Sequence, residues 1–189
     1  MPFNIPNLVT WARILLVPVF VTVFYLPGEP LNQHVVNLAA TSIFLLASIT
    51  DWLDGYLARK LNQHSAFGAF LDPVADKLMV AAALIILLQI GRVDAIVVLI
   101  IIGREIAISA LREWMAHLGE SKGVAVALIG KVKTASQMVA IPLLLYDDPI
   151  GSFDPHQVGT WLIYIAALLT LVSMFYYLKM AAPGIIKHG

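Results

Sequence analysis

Residues 50–78 read TDWLDGYLARKLNQHSAFGAFLDPVADKL and contain four aspartates, Asp51, Asp54, Asp72 and Asp76. The apolar run LAATSIFLLASIT leads into the first aspartate, and the run LMVAAALIILL follows the last one. Ionisable side chains beside such runs are costly in a membrane and mark functional sites there by default. The stretch therefore predicts two apolar helices, joined by a short polar turn, with a functional site where they meet.

The composition around this stretch is that of a membrane protein. Of the 189 residues, 60% are hydrophobic and 13% are charged, whereas a soluble domain averages about 25% charged residues. The mean hydropathy is +0.85. The formal net charge of +0 offers no basic field for nucleic acid, and the absence of cysteine excludes disulfides and thiolate metal sites.

Six apolar segments are long enough to cross a bilayer, which takes about 20 residues of helix. The predicted spans are 7–27, 34–58, 70–90, 93–115, 124–146 and 157–180. The breaks between them are rich in glycine, proline, serine and aspartate, which end helices. We therefore expect an all-α membrane protein with one domain, residues 1–189, built from six transmembrane helices.

The distribution of lysine and arginine predicts the orientation, because these residues concentrate in cytoplasmic loops. With the N-terminus inside, ten of them lie on the inner side and only Arg92 lies on the outer side. The inner set is Arg59, Lys60, Lys77, Arg104, Arg112, Lys122, Lys131, Lys133, Lys179 and Lys187. Both termini and the four aspartates are thus expected at the cytoplasmic face. Asp147 and Asp148, in an outer loop, are expected to be merely solvated.

Helical spacing places the aspartates of each helix on one face. One helix presents its set at i, i+3, i+4 and i+7, and the other at i, i+4 and i+8. These sets are Asp51, Asp54, Gly55 and Ala58 on the first helix, and Gly68, Asp72 and Asp76 on the second. Carboxylates gathered at a membrane repel one another unless a cation lies between them, and hard divalent cations prefer such oxygen ligands. The spacing predicts a metal site flanked by small residues that let a ligand approach.

The same stretch carries a family signature. It fits the pattern D-x-x-D-G-x-x-A-R, eight residues, G-x-x-x-D-x-x-x-D at every one of its eight fixed positions. In this, and in its six-span layout, the chain resembles the CDP-alcohol phosphatidyltransferase family. The resemblance implies transfer of a substituted phosphate from a CDP-linked donor to an alcohol, with release of CMP.

The resemblance also implies roles for the motif residues. Asp51, Asp54 and Asp72 correspond to ligands of Mg2+ or Mn2+, with two ions expected, and Asp76 corresponds to a ligand that is also the general base. The chemistry agrees, because phosphoryl transfer needs cations for its charge and a base for the attacking hydroxyl. The residues alone leave open whether Asp76 is mainly base or mainly ligand.

Donor binding is expected around the same turn. By the resemblance, Gly55, Arg59 and Ser65 fall where the family holds the CDP group. Ala58 and Gly68 are small and leave room beside it.

The N-terminal stretch FNIPNLVTWARI spaces Asn7, Thr10 and Arg13 at i, i+3 and i+6. This is compatible with a capped, amphipathic helix start. The alternative is that these polar groups, Asn7 and Thr10 above all, line the nucleotide cleft.

Four further basic residues, Arg104, Arg112, Lys131 and Lys133, are predicted on the side of the aspartates. Arg104 could simply pair with a glutamate across helices, and the lysines could snorkel to lipid headgroups. The alternative is a basic pocket for a phosphate on the acceptor.

Together these stretches resemble the phosphatidylglycerophosphate synthases of bacteria. That branch implies CDP-diacylglycerol as donor, sn-glycerol 3-phosphate as acceptor, and a multi-pass protein of the bacterial inner membrane with its active site facing the cytoplasm. An inositol-phosphate acceptor would need a similar pocket. The oligomeric state is left open, and a homodimer is one arrangement that the sequence allows.

Two other classes of protein also use carboxylates to bind cations. A cation transporter could use membrane carboxylates, but this sequence has no internal repeat and no paired broken helices, and a transporter would not release CMP. A prenyltransferase also binds a pyrophosphate through aspartates and metal, but its aspartate clusters usually lie far apart in sequence.

Overall fold

The computed structural model describes residues 5–25, 32–61, 66–117 and 128–188. Within these residues the secondary structure is helical, apart from turns and a single β-bridge between Ile150 and Phe153. The six helices are α1 Ile5–Val23, α2 Gln33–Leu61, α3 Ala66–Gln89, α4 Ala95–His117, α5 Leu128–Tyr146 and α6 Pro155–His188. The prediction of an all-α chain with six helices is confirmed.

The helix ends differ from the predicted spans in a few places. The break between the predicted spans 34–58 and 70–90 is shorter than expected, because α2 continues to Leu61 and α3 already begins at Ala66. The last helix runs past 180 to His188. The turns after α3 and α5 contain residues with positive φ, at Gly91 (74°), Asp147 (57°) and Gly151 (60°), where a helix cannot continue. Residues 26–27 and 124–127 of the predicted spans lie outside the described residues.

The helices pack in two groups that share a core. α1 packs against α2 and α3, while α6 packs against α4 and α5, and α5 also contacts α2. The buried core side chains include Phe20, Phe44, Leu87, Ile101 and Ile163, which come from five of the six helices. This arrangement brings Asp51 of α2, Asp76 of α3 and Glu105 of α4 close enough to interact electrostatically.

The outside of the bundle is also apolar. Leu99 and Phe175, for example, are 72% and 68% exposed. By length and composition, two helical stretches among the described residues could cross a membrane, Gln33–Asp51 and Pro155–Ala182. Large exposed apolar side chains on helices are typical of a surface that faces lipid.

At the end of the bundle away from the motif, Arg92 joins three elements. Its Nε lies 2.9 Å from Asp147 Oδ2, Nη1 donates to the carbonyls of Leu144 and Leu145 (3.0 and 2.9 Å), and Nη2 donates to Asn37 Oδ1 (2.9 Å). It thereby satisfies carbonyls in the last turn of α5, which lack helical partners.

The expectation that Asp147 and Asp148 are merely solvated was wrong. Asp147 pairs with Arg92 and with His156, and Asp148 accepts from His34 (2.7 Å). Arg92 and His34 come from distant segments of the chain, so that their pairs with Asp147 and Asp148 form only when the bundle is packed.

Gly159 marks a close approach of α6 to α5. A Cβ built there would lie 2.8 Å from Leu144 Cγ and 3.2 Å from the Ala140 carbonyl oxygen. We expect Gly159→Ala to lower the free energy of unfolding by about 1–3 kcal/mol, the usual cost of overpacking, and so to lower the melting temperature. Gly103→Ala is the matched control, because a Cβ at Gly103 meets nothing within 4 Å and alanine favours a helix. Equal melting temperatures for the two variants in detergent would contradict this account of the α5–α6 contact.

Candidate active site

Three helices meet around the first and last aspartates of the motif. Asp51, in α2, forms an ion pair with Arg13 of α1, whose side chain is buried, while the Asp51 side chain is 48% exposed. Asp76, in α3, is partly buried. Arg13 and Asp51 are both close enough to act electrostatically on the Asp76 carboxylate. Arg13 therefore supplies positive charge between two carboxylates that would otherwise repel each other.

The other motif residues lie on the same two helices. Asp54 follows Asp51 by one turn of α2, and Asp72 precedes Asp76 by one turn of α3. The backbones of Gly55, Ala58 and Arg59 lie in α2 and that of Gly68 in α3. The side chains of Asp54, Asp72 and Arg59 lie outside the described part of the structure, as does Ser65 altogether.

The residues at the start of α1 are placed in part. Asn7 is in the first turns of α1, and its side chain lies outside the described part. Thr10 is fully buried in α1, the helix that packs against both α2 and α3. This location next to the motif helices is compatible both with an ordinary helix start and with polar groups that line the nucleotide cleft.

The donor set suits a hard divalent cation. Asp51 and Asp76 offer carboxylate oxygens on facing helices, and the mutual repulsion of their charges favours a cation between them. Among the described side chains no three potential ligands gather into a metal site. Asp54 and Asp72, one helical turn from this pair, would therefore have to complete the ligand set.

A cavity of about 350 Å³ opens beside Asp76, between α3, α4 and α5. Its charged wall is formed by Asp76, Lys77, Glu105 and Lys133, and apolar residues such as Ile101 and Met138 line the rest. A small polar molecule in this cavity would contact the last aspartate of the motif and two lysines at once.

The structure brings together two of the four predicted acceptor residues. Arg104 and Lys133 are buried, with 5% and 4% exposure, and both pair with Glu105, Arg104 Nη1 at 3.0 Å from Glu105 Oε1. The partner of Arg104 is thus its neighbour on α4, while Lys133 makes the contact across helices. Burial rules out snorkelling for Lys133.

Arg112 and Lys131 are placed differently. The guanidinium of Arg112 lies 5.7 Å from the ring centroid of Tyr177, on which Arg104 also stacks at 5.4 Å. Lys131 is exposed and does not line the cavity, because residues two apart on a helix point to different sides.

Lys77 and Glu105 are charged residues of the cavity wall that were not among the predicted site residues. Lys77 donates to Ser109 Oγ, and Ser109 in turn donates to the Glu105 carbonyl (2.7 Å). Each follows a residue that was singled out, Asp76 and Arg104. A charged pair inside an apolar run was the available signal.

The comparisons with known proteins agree with the motif. The family model for CDP-alcohol phosphatidyltransferase matches residues 3–172. Three similar proteins carry the name CDP-diacylglycerol–glycerol-3-phosphate 3-phosphatidyltransferase. The proteins from Shigella flexneri serotype 5b and Escherichia coli K12 are 48% and 47% identical over 192 aligned residues, covering all of both chains. The Pseudomonas fluorescens protein is 49% identical over 98% of this chain and 94% of its own. The resemblance is confirmed, and the chain belongs to the CDP-alcohol phosphatidyltransferase family.

Proposed function

We propose that this protein transfers a phosphatidyl group from CDP-diacylglycerol to sn-glycerol 3-phosphate, giving phosphatidylglycerophosphate and CMP. The observation that carries the proposal is the position of Asp76. This carboxylate interacts electrostatically with Asp51 of the motif, and it lines a cavity together with the cations Lys133 and Lys77. The names of relatives at 47–49% identity support the same two substrates.

Divalent-metal dependence is general in this family. In our proposal Asp51, Asp54, Asp72 and Asp76 hold two ions, either Mg2+ or Mn2+. When bound, such ions neutralise the pyrophosphate of the donor and the charge that develops on the leaving CMP. Arg13 keeps Asp51 in place through their ion pair.

The remaining roles are divided between the two sides of Asp76. On the motif side, the CDP group of the donor is held by Asn7, Thr10, Gly55, Ala58, Arg59, Ser65 and Gly68. On the cavity side, the phosphate of the acceptor is held by Lys133, which lines the cavity, and by Arg104, which shares Glu105 with it, with Arg112 and Lys131 farther out. Asp76 then accepts the proton of the acceptor hydroxyl that attacks the donor.

The proposal includes a single domain, residues 1–189, with six membrane spans, both termini in the cytoplasm and the active site at the cytoplasmic face of the bacterial inner membrane. It is supported by the excess of lysine and arginine on that side. Three ionisable residues of α3 and α4, Asp76, Lys77 and Glu105, line the cavity, and ionisable groups in membrane helices usually face the interior of the bundle in this way. Cysteine labelling from the two sides of intact cells tests the orientation, and light scattering in detergent distinguishes a monomer from a homodimer.

The function is tested by incubating the purified protein with CDP-diacylglycerol, Mg2+ and single alcohols while CMP release is measured. We expect CMP release with sn-glycerol 3-phosphate and very little with glycerol, which lacks the phosphate that Lys133 would bind. Preference for an inositol phosphate would move the protein to another acceptor within the family. No CMP release with any alcohol would contradict the proposal.

The acceptor pocket makes a separate prediction. Lys133→Gln should raise KM for sn-glycerol 3-phosphate by about 10- to 150-fold, since a hydrogen bond to a charged group contributes roughly 1.5–3 kcal/mol. KM for CDP-diacylglycerol should stay near the wild-type value, because the motif residues hold the donor. Arg112→Gln and Lys131→Gln should have smaller effects, because neither residue lines the cavity.

Lys179→Gln is the matched control, a charge removal on an exposed position of α6. A pocket that does not bind phosphate would be indicated by an unchanged acceptor KM in Lys133→Gln, or by an equal loss of affinity for both substrates.

A further inference from the structure

Glu105 links two buried cations at the wall of the cavity. Its Oε1 accepts from Arg104 Nη1 at 3.0 Å and from Lys133 Nζ. Arg104 belongs to the same helix, whereas Lys133 comes from α5. One carboxylate oxygen therefore fixes two positive groups, and the cluster of three charges keeps a net charge of +1.

Both cations have donors that the protein leaves unused among the described residues. An ammonium carries three N–H donors and a guanidinium five. Among the described residues, Lys133 donates a hydrogen bond to Glu105 alone. Arg104 uses Nη2 on Ser173 (3.2 Å), and its Nε is buried with no hydrogen-bond partner. Buried donors of this kind are costly unless a ligand or water takes them. Lys133, which lines the cavity, can thus bind an anion there without giving up Glu105.

The backbone of Glu105 is linked to α3 through Ser109. Its carbonyl oxygen accepts from Ser109 Oγ, which accepts from Lys77 Nζ, and Lys77 lies beside Asp76 in the chain. This chain of contacts ties α4 to α3 next to the proposed base. Without Glu105, the buried Arg104 and Lys133 would lose the carboxylate that they share, and a buried charge that loses its partner either moves or loses its charge.

We propose that Glu105 is a positioning residue that acts through Lys133. It holds the Lys133 ammonium at the cavity wall opposite Asp76, so that an acceptor bound by its phosphate presents its hydroxyl to that carboxylate. This inference rests on the proposed function and adds to it the residue that orients the acceptor.

The test is Glu105→Gln, which keeps the shape of the side chain and removes its charge. We expect KM for sn-glycerol 3-phosphate to rise roughly tenfold, the loss typical of one hydrogen bond to a charged group, with KM for CDP-diacylglycerol unchanged. Glu113→Gln is the matched control, because Glu113 is an exposed glutamate on the same helix, and it should leave both values unchanged.

A double-mutant cycle separates positioning from a general effect on the fold. If Glu105 acts through Lys133, then Lys133→Gln combined with Glu105→Gln should be no worse than Lys133→Gln alone. Losses that multiply would overturn the inference. So would a lower acceptor KM in Glu105→Gln, because then the carboxylate competes with the phosphate instead of supporting the cation.

Two further measurements distinguish failure of this inference from misfolding of the variant and from failure of the proposed function. If Glu105→Gln does not fold in detergent, Glu105→Asp gives the same test, since it keeps the charge and moves the carboxylate by one methylene. It should raise the acceptor KM alone, and an unchanged KM would count against the inference. Failure of the wild type to use sn-glycerol 3-phosphate would instead refute the proposed function.

Discussion

Turnover is expected to fall below detection when Asp51, Asp54 or Asp72 is replaced by asparagine. The substitution keeps the size of the side chain but removes one negative charge from a site that must hold divalent cations against the bilayer surface. Since the donor pyrophosphate can be neutralised only if those cations are bound, a weakened site loses the reaction as well as the metal. Removing the metal from the wild type with EDTA should have the same effect, reversed by added Mg2+.

Two measurements check this prediction independently. CMP release reports turnover, and the electron paramagnetic resonance of Mn2+ reports metal binding in the absence of substrates. Asp94→Asn is the matched control, because Asp94 directly precedes α4, away from the motif, and accepts from Tyr164; the variant should keep both properties. Activity in EDTA, or in any two of the three variants, would contradict the assignment of these aspartates as metal ligands.

The helices were predictable because they depend on local information. Six apolar runs separated by glycine, proline and aspartate specify six helices whatever their packing. The end of α2 and the start of α3 were less predictable. The polar residues at 60–64 suggested a longer break, yet Lys60 and Leu61 extend α2, since helix ends are set by capping and packing as much as by composition.

The pairing of charged side chains could not be predicted, because it depends on which helix faces meet. Arg92 reaches Asp147 from 55 positions earlier in the chain, and Lys133 reaches Glu105 from 28 positions later. Neither spacing has a local signature. The sequence therefore identified the buried charges and the motif, but the partner of each charge required the fold.

The partner of Arg13, at the site itself, could not be predicted from the sequence either. Its spacing from Asn7 and Thr10 was compatible with an ordinary helix start. In the structure it is buried and pairs with the first aspartate of the motif. A buried arginine is stable only with a charged or hydrogen-bonding partner, and so the packing of α1 depends on the same carboxylate that we propose as a metal ligand.

The second large effect concerns Asp76. We expect Asp76→Asn to lower kcat by about 10²–10⁴-fold, the usual contribution of a general base, while CDP-diacylglycerol still binds. The reason is its position. Asp76 borders the cavity that also contains Lys133 and Glu105, so that an acceptor held there by its phosphate would place a hydroxyl near this carboxylate. Asparagine keeps the shape but cannot accept the proton.

Binding of radiolabelled CDP-diacylglycerol and of Mn2+, measured on the same variant, decides between the two roles that the sequence left open. A base gives normal donor and metal binding with a low kcat. If donor and metal are both lost, Asp76 is mainly a ligand, and the proton must be taken by another group. Asp76→Glu refines the choice, because it keeps a carboxylate that can take a proton but moves it by one methylene. Partial activity in Asp76→Glu together with a much lower kcat in Asp76→Asn is the result expected of a base whose distance to the acceptor hydroxyl matters.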